Sequence, residues 1–298
     1  MRIMKQKLSY YFYWLKTHLF DDTVNLTITL TLFFYFFTLF SLNPVTLIIH
    51  PLTLFLKLFI VIGVLARIAT HYAFWLVITI LLAFIYLPEW YKIDNHEYLI
   101  IYWSLSLAVA LYSATPKETL QKTAALLLGL CFFFATFWKV ITPEFMNGSF
   151  FQFLLAGGDT RFHEFSMMIS GMDKEMISSN RSIFYSLKEG NFVYTFVLLE
   201  LTEHLHLKAL TLTWSTIILE GAIALLFLIN TKMDSPYLKH GVLILFIVTT
   251  YPVAPVISFG LLLVCIGISQ SKNHKIKFLY IVIFTFLHLL KFIQNVMS

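Results

Sequence analysis

Residues 91–99 read Tyr91-Lys-Ile-Asp-Asn-His-Glu-Tyr-Leu99, a knot of ionisable groups set between two apolar runs at about 71–88 and 97–113. At ~1.5 Å rise per residue, a helix of either run covers most of a ~30 Å hydrocarbon layer. The stretch therefore reads as a polar turn at a membrane surface, joining two helices that run in opposite directions. Around it the whole chain keeps the same character. Of 298 residues, 59% are hydrophobic, 17% aromatic and only 12% charged, with a mean hydropathy of +0.79. A soluble domain carries about 25% charged residues, so the composition excludes one. The expectation is an all-α, polytopic membrane protein folded as a single integral membrane domain over residues 1–298.

Further apolar runs place spans at about 24–42, 45–66, 121–141, 208–229 and 278–293. Residues 241–269 are also apolar, but Tyr-Pro-Val-Ala-Pro at 251–255 removes two amide donors and breaks any helix there. Two half-helices forming a hairpin are favoured over one crossing, giving about 7–9 membrane segments. In residues 1–22, Leu8, Tyr11, Phe12, Leu15 and Leu19 recur at helical spacing opposite Lys5, Lys7 and Lys16. That pattern suggests an amphipathic helix lying on the bilayer rather than a removable signal peptide. Cys131 and Cys265 lie far apart inside apolar runs and read as buried thiols.

Sidedness follows from the basic residues. Arg2, Lys5, Lys7, Lys16, Arg67, Lys117, Lys122, Lys232, Lys239, Lys272, Lys275 and Lys277 fall on one side if 241–269 returns to its own face. This side is expected to be cytoplasmic, with the N-terminus, in a bacterial inner membrane. The opposite side holds the 89–96 turn and the long polar stretch of about 142–207, an external loop or lid. No basic run is interleaved with exposed aromatics, so the net charge of +5 implies no nucleic-acid partner. A wealth of Phe, Ile, Leu and Lys suggests an AT-rich bacterial genome.

Two motifs carry a family resemblance. Phe132-Phe-Phe-Ala-Thr-Phe-Trp-Lys-Val-Ile-Thr-Pro-Glu-Phe-Met-Asn-Gly148 places Ala135, Lys139, Glu144, Phe145 and Gly148 in a pattern of aromatic helix, lysine, acidic-aromatic step and glycine. Asn95-His-Glu-Tyr-Leu99 opens a membrane helix after an external turn. Together, over about residues 20–150, they resemble the vitamin K-dependent gamma-carboxylase and its bacterial relatives, the HTTM (horizontally transferred transmembrane) proteins. The resemblance implies that fold and an externally facing pocket open to a membrane-soluble molecule; the cofactor is left open, with a quinone or hydroquinone as the candidate. Glutamate carboxylation is not carried over with it.

The residues themselves leave several readings open. Partial desolvation of Lys92 yields a neutral amine able to take a proton from a hydroquinone, phenol or carbon acid, with His96 as relay. Against this, Lys92 reads equally as an interfacial lysine beside a helix capped by Asp94 or Asn95. Lys139 either snorkels to the headgroups, or binds the anionic part of a substrate or pairs with Glu144 while Gly148 supplies a tight turn. Lys57 and Glu220 sit near the middle of apolar spans and are expected to neutralise each other, as a structural pair or as part of a proton path. Glu200, Glu203 and His204 share a helical face, yet no complete ligand set is present and no metal is expected. The catalytic candidates are thus Lys92, His96 and Lys139, and the substrate-binding candidates are Asp94, Asn95, Tyr98, Glu144 and Gly148. The leading expectation is an enzyme performing carboxylase-like or lyase-like, base-assisted chemistry on a lipid-soluble quinol or a membrane-delivered peptide. The alternatives are a non-catalytic factor for maturation, export or immunity of a secreted peptide, and a small-molecule transporter.

Overall fold

The computed structural model describes residues 22–39, 49–92, 95–159, 162–188, 199–229, 236–251 and 256–297. Among them every regular element is helical. The apolar runs form α1 (Thr23–Leu39), α2 (Ile49–Leu65), α3 (Tyr72–Tyr86), α4 (Asn95–Tyr112) and α5 (Pro116–Ile141). Four shorter helices follow: α6 (Pro143–Met146), α7 (Ser149–Leu155), α8 (His163–Ser170) and α9 (Lys174–Lys188). The chain then returns through α10 (Leu205–Leu228), α11 (Pro236–Thr250), α12 (Ile257–Gln270) and α13 (His274–Met297). The stretches Pro116–Ile141, Leu205–Leu228 and His274–Ile293 are long and apolar enough to cross a membrane. The amphipathic helix expected in 1–22 lies outside the described residues except for Asp22, whose carboxylate accepts the Asn25 amide at 3.0 Å and caps α1.

The distribution of polarity suits lipid rather than water. Phe33, Leu65, Phe84, Phe134, Trp138, Ile218, Leu225 and Phe292 stand exposed, whereas Thr27, Thr31, Ser104, Thr213 and Glu220 are buried. Several buried hydroxyls bond the carbonyl four residues back, as Thr27 does to Thr23 (2.7 Å) and Thr79 to Trp75 (2.8 Å). Such bonds let a polar side chain enter hydrocarbon with its donor satisfied. Others tie helices together. Trp103 Nε1 donates to Thr31 Oγ1 at 3.1 Å, and the Tyr35 hydroxyl donates to the Ile100 carbonyl at 3.0 Å beside Ser104. These bonds align α1 with α4, level for level.

The apolar run of 241–269 forms two helices, α11 ending at Thr250 and α12 beginning at Ile257, with the prolines at 252 and 255 outside the described residues. At 15 and 14 residues, α11 and α12 are each about 21–22 Å long, short of the ~30 Å hydrocarbon layer. They are antiparallel, because His240 at the start of α11 and Gly267 near the end of α12 both meet Tyr280 of α13. His240 Nδ1 lies 3.0 Å from the Tyr280 hydroxyl, while a Cβ on Gly267 would come within 2.7 Å of that ring. At the other end, Tyr251 covers Gly260. The pair is therefore a hairpin whose two ends share one face of the protein. Within it α12 is the central element, with every residue from Gly260 to Ser269 buried.

Helices α5 and α10 form the other long contact. Gly129 permits their close approach, since a Cβ there would stand 2.5 Å from Leu228 Cγ and 3.2 Å from the Leu228 amide nitrogen. Gly129→Val is expected to cost roughly 1–3 kcal/mol through overpacking and to lower the midpoint of thermal unfolding in detergent.

Candidate functional site

The buried stripe of α10 runs Leu205, Ala209, Thr213, Ile217, Glu220, Ala224 and Phe227, a spacing of three and four that defines one face. On α5 the matching face runs Leu120, Ala124, Leu128 and Phe132. The helices are antiparallel but offset. Leu228, the last residue of α10, lies against Gly129 near the middle of α5, and Gly221 lies against Thr136. The first turns of α10 therefore project beyond the end of α5, where they carry α6 to α9 as a helical cap.

This offset brings Glu220, in the middle of α10, to Lys139, in the last turn of α5. Lys139 Nζ donates to Glu220 Oε2 at 2.7 Å, with both side chains largely buried (17% and 9% exposed). The ammonium also lies 5.6 Å from the centroid of the Phe145 ring, within the range of cation–π attraction. Phe145 in turn stacks on Phe150 at 4.2 Å. Gly148 makes that stacking possible. Its φ of +80° turns the chain between α6 and α7, and its bare Cα lets Leu210 approach, since a Cβ would be 3.1 Å from Leu210 Cδ2. One turn before Lys139, the Thr136 hydroxyl is buried without a hydrogen-bond partner among the described residues, as is that of Thr213.

The cap has its own small core of Leu155, Ala156, Met172, Ile177, Leu205 and Ala209. Asn180 grips the backbone of Glu200 twice, donating to its carbonyl at 2.7 Å and accepting its amide at 2.8 Å. The Ser170 carbonyl accepts both Thr202 Oγ1 (2.9 Å) and Lys208 Nζ (3.0 Å). Through these bonds the cap is fastened to the segment that leads into α10 and, by Lys208, to its first turn.

Two sequence expectations are corrected. Glu220 pairs with Lys139 rather than with Lys57, which sits on α2, a helix packed against α1 and α3. Nor does Lys139 pair with Glu144, which is exposed on α6. Thus Lys139, Phe145 and Gly148 are brought together, Glu220 joins them, and Glu144 is left at the surface. The backbone places Lys92 at the end of a 3-10 helix (Leu87–Lys92) and Asn95 and His96 in the first turn of α4. The side chains of Lys92, Asn95 and His96, and the whole of Asp94, lie outside the described residues. Tyr98 donates its hydroxyl to the Trp90 carbonyl at 2.9 Å, tying α4 to the 3-10 turn. The start of α4 and the end of α5 fall at the same end of the protein. In the expected metal face, Glu203 and His204 are exposed and the Glu200 carboxylate accepts the Ser179 hydroxyl at 3.3 Å. Among the described residues no three His, Cys, Asp or Glu side chains converge on one point.

Comparison of the chain with family models, curated proteins and solved structures yields no match. The site therefore has to be judged by its chemistry. A buried ammonium and carboxylate at 2.7 Å stabilise each other, and removing one strands the other in an apolar seam. Lys139→Met or Glu220→Leu alone is expected to cost about 3–5 kcal/mol, and the double variant far less than their sum. Detergent unfolding of the four proteins as a double-mutant cycle measures the coupling, and additive losses would refute it.

Proposed function

We propose that the chain is a multi-pass protein of a bacterial cytoplasmic membrane, similar to the HTTM and vitamin K-dependent carboxylase proteins, whose capped end faces outward. The observation that carries this reading is the separation of charge between the two ends. The turn holding Arg67, the start of α5 with Lys117 and Lys122, and the start of α13 with Lys272, Lys275 and Lys277 gather at the uncapped end. An excess of Lys and Arg is what cytoplasmic loops carry. At the capped end stand the 91–99 turn, Lys139 and the helices of residues 142–207.

In this reading the substrate is a membrane-soluble quinol or a peptide delivered at the membrane, received beneath the cap. Lys139, already paired with Glu220, serves as an anchor for an anionic group and not as a base. Proton abstraction falls to Lys92, relayed by His96, and substrate binding to Asp94, Asn95 and Tyr98. The tight Lys139–Glu220 brace between α5 and α10 beneath the cap favours a second reading, a non-catalytic factor that assists maturation, export or immunity of a secreted peptide.

Orientation is tested in intact cells after Cys131 and Cys265 are replaced by Ala. A membrane-impermeant maleimide is expected to label Glu175→Cys at once and Lys275→Cys only after permeabilisation; the reverse pattern overturns the orientation. Chemistry is tested by mass spectrometry of the lipophiles that co-purify with the protein. Lys92→Arg keeps the charge but supplies no neutral amine at ordinary pH, so an enzyme accumulates unreacted substrate relative to product. An unchanged lipophile profile selects the non-catalytic factor.

A further inference from the structure

The lipid-facing groove between α1 and α13, at the capped end, combines features that the proposed function does not use. His288 Nδ1 lies 3.0 Å from the Phe284 carbonyl four residues back. A carbonyl only accepts, so Nδ1 is the donor and Nε2 of the neutral ring carries a lone pair. That Nε2 is buried and has no hydrogen-bond partner among the described residues. Three aromatic rings wall the imidazole, Phe33 and Phe37 edge-on at 5.1 and 5.8 Å and Phe284 at 4.3 Å. Phe33 and Phe37 are themselves 46% and 47% exposed, so the outer edge of this aromatic wall is open.

Three residues farther along, Lys291 shares the face of His288. It is half-buried and lies two residues before the end of the apolar stretch His274–Ile293, so its ammonium reaches headgroup level. No Asp or Glu on α1 to α3 or on α11 to α13 is available to neutralise it. Residues 23–88 and 235–298, which contain α1 to α3 and α11 to α13, include no Asp and no Glu. A lone pair in need of a donor thus stands beside a cation in need of an anion.

We infer that this groove binds the headgroup of an anionic phospholipid bearing free hydroxyls, of the phosphatidylglycerol type. The phosphodiester meets Lys291, a glycerol hydroxyl donates to His288 Nε2, and the rings of Phe33 and Phe37 pack against the glycerol backbone. A choline headgroup has the phosphate but no donor for Nε2. Ethanolamine has a donor but brings a second cation beside Lys291. The inference holds whether or not the protein is an enzyme.

Native mass spectrometry of the full chain, released from detergent with equal amounts of phosphatidylglycerol and phosphatidylcholine, tests it. Phosphatidylglycerol is expected to be retained about tenfold better. That preference is lost in Lys291→Gln, kept in Lys291→Arg and weakened in His288→Leu, while Lys275→Gln at the opposite end leaves it unchanged. Size-exclusion profiles show that each variant is folded, and the Lys291→Arg result keeps the test decisive if Lys291→Gln is not. Equal retention of the two lipids, or a preference that survives in both Lys291→Gln and His288→Leu, overturns the inference. So does competition by soluble glycerol 3-phosphate as effective as by the lipid, which would mean a free phosphate ester as ligand.

Discussion

A carboxylate placed in the apolar seam between two helices needs a cation in contact, and in this protein the pairing of Glu220 with Lys139 sets the register of everything at the capped end. Coulomb attraction rises steeply as the local dielectric falls, so an ion pair at 2.7 Å in a buried seam tolerates little sliding of α10 along α5. With that register held, the first turns of α10 must project past Ile141. The projection is what gives α7 and α8 a surface to pack on, and what brings Phe145 over the ammonium. Cap, aromatic stack and ion pair are thus parts of one geometric solution rather than separate features.

Around this seam the remaining helices obey the demand of hydrocarbon that polar groups be satisfied from within. Threonine and serine hydroxyls bond their own helix, tyrosine and tryptophan donors reach across to a neighbour, and large apolar side chains face outward. The exceptions are informative because they are few. Thr136 and Thr213 lie along the ion-paired seam, and His288 lies in the lipid-facing groove. Gln121 Nε2, near the start of α5, is a further buried atom without a partner among the described residues, so such atoms occur at the places where a ligand has been argued but are not confined to them.

Much of the architecture was legible in the residue order, and the reason is physical. A helix that must cross hydrocarbon has little freedom in length or polarity, so apolar runs and the Pro252 and Pro255 break mark the elements directly. The basic residues that the sequence assigns to one side, Arg67, Lys117, Lys122, Lys272, Lys275 and Lys277, do gather at one end of the helices. The partner of Glu220 was not legible. Hydropathy says how deep a residue sits only if each helix is centred on the membrane, and α5 and α10 are displaced along each other by the cap. Lys139 looked interfacial and Lys57 looked central, so the wrong cation was matched. Gly148 was legible because a left-handed turn has a residue signature, whereas the Asn180 grip on Glu200 depends on tertiary placement that no spacing reveals.

The hairpin of α11 and α12 has a bearing on how the protein is made. Since the start of α11 and the end of α12 share one face, this segment adds no net crossing to the path of the chain. The direction of α13 is therefore independent of whether the hairpin has yet entered the membrane. The most deeply enclosed helix of the bundle can be the last to arrive, slotting in from the uncapped side after its neighbours have taken their orientations. Central position in the folded protein and late arrival during assembly are then compatible, because the element that fills the core carries no topological information.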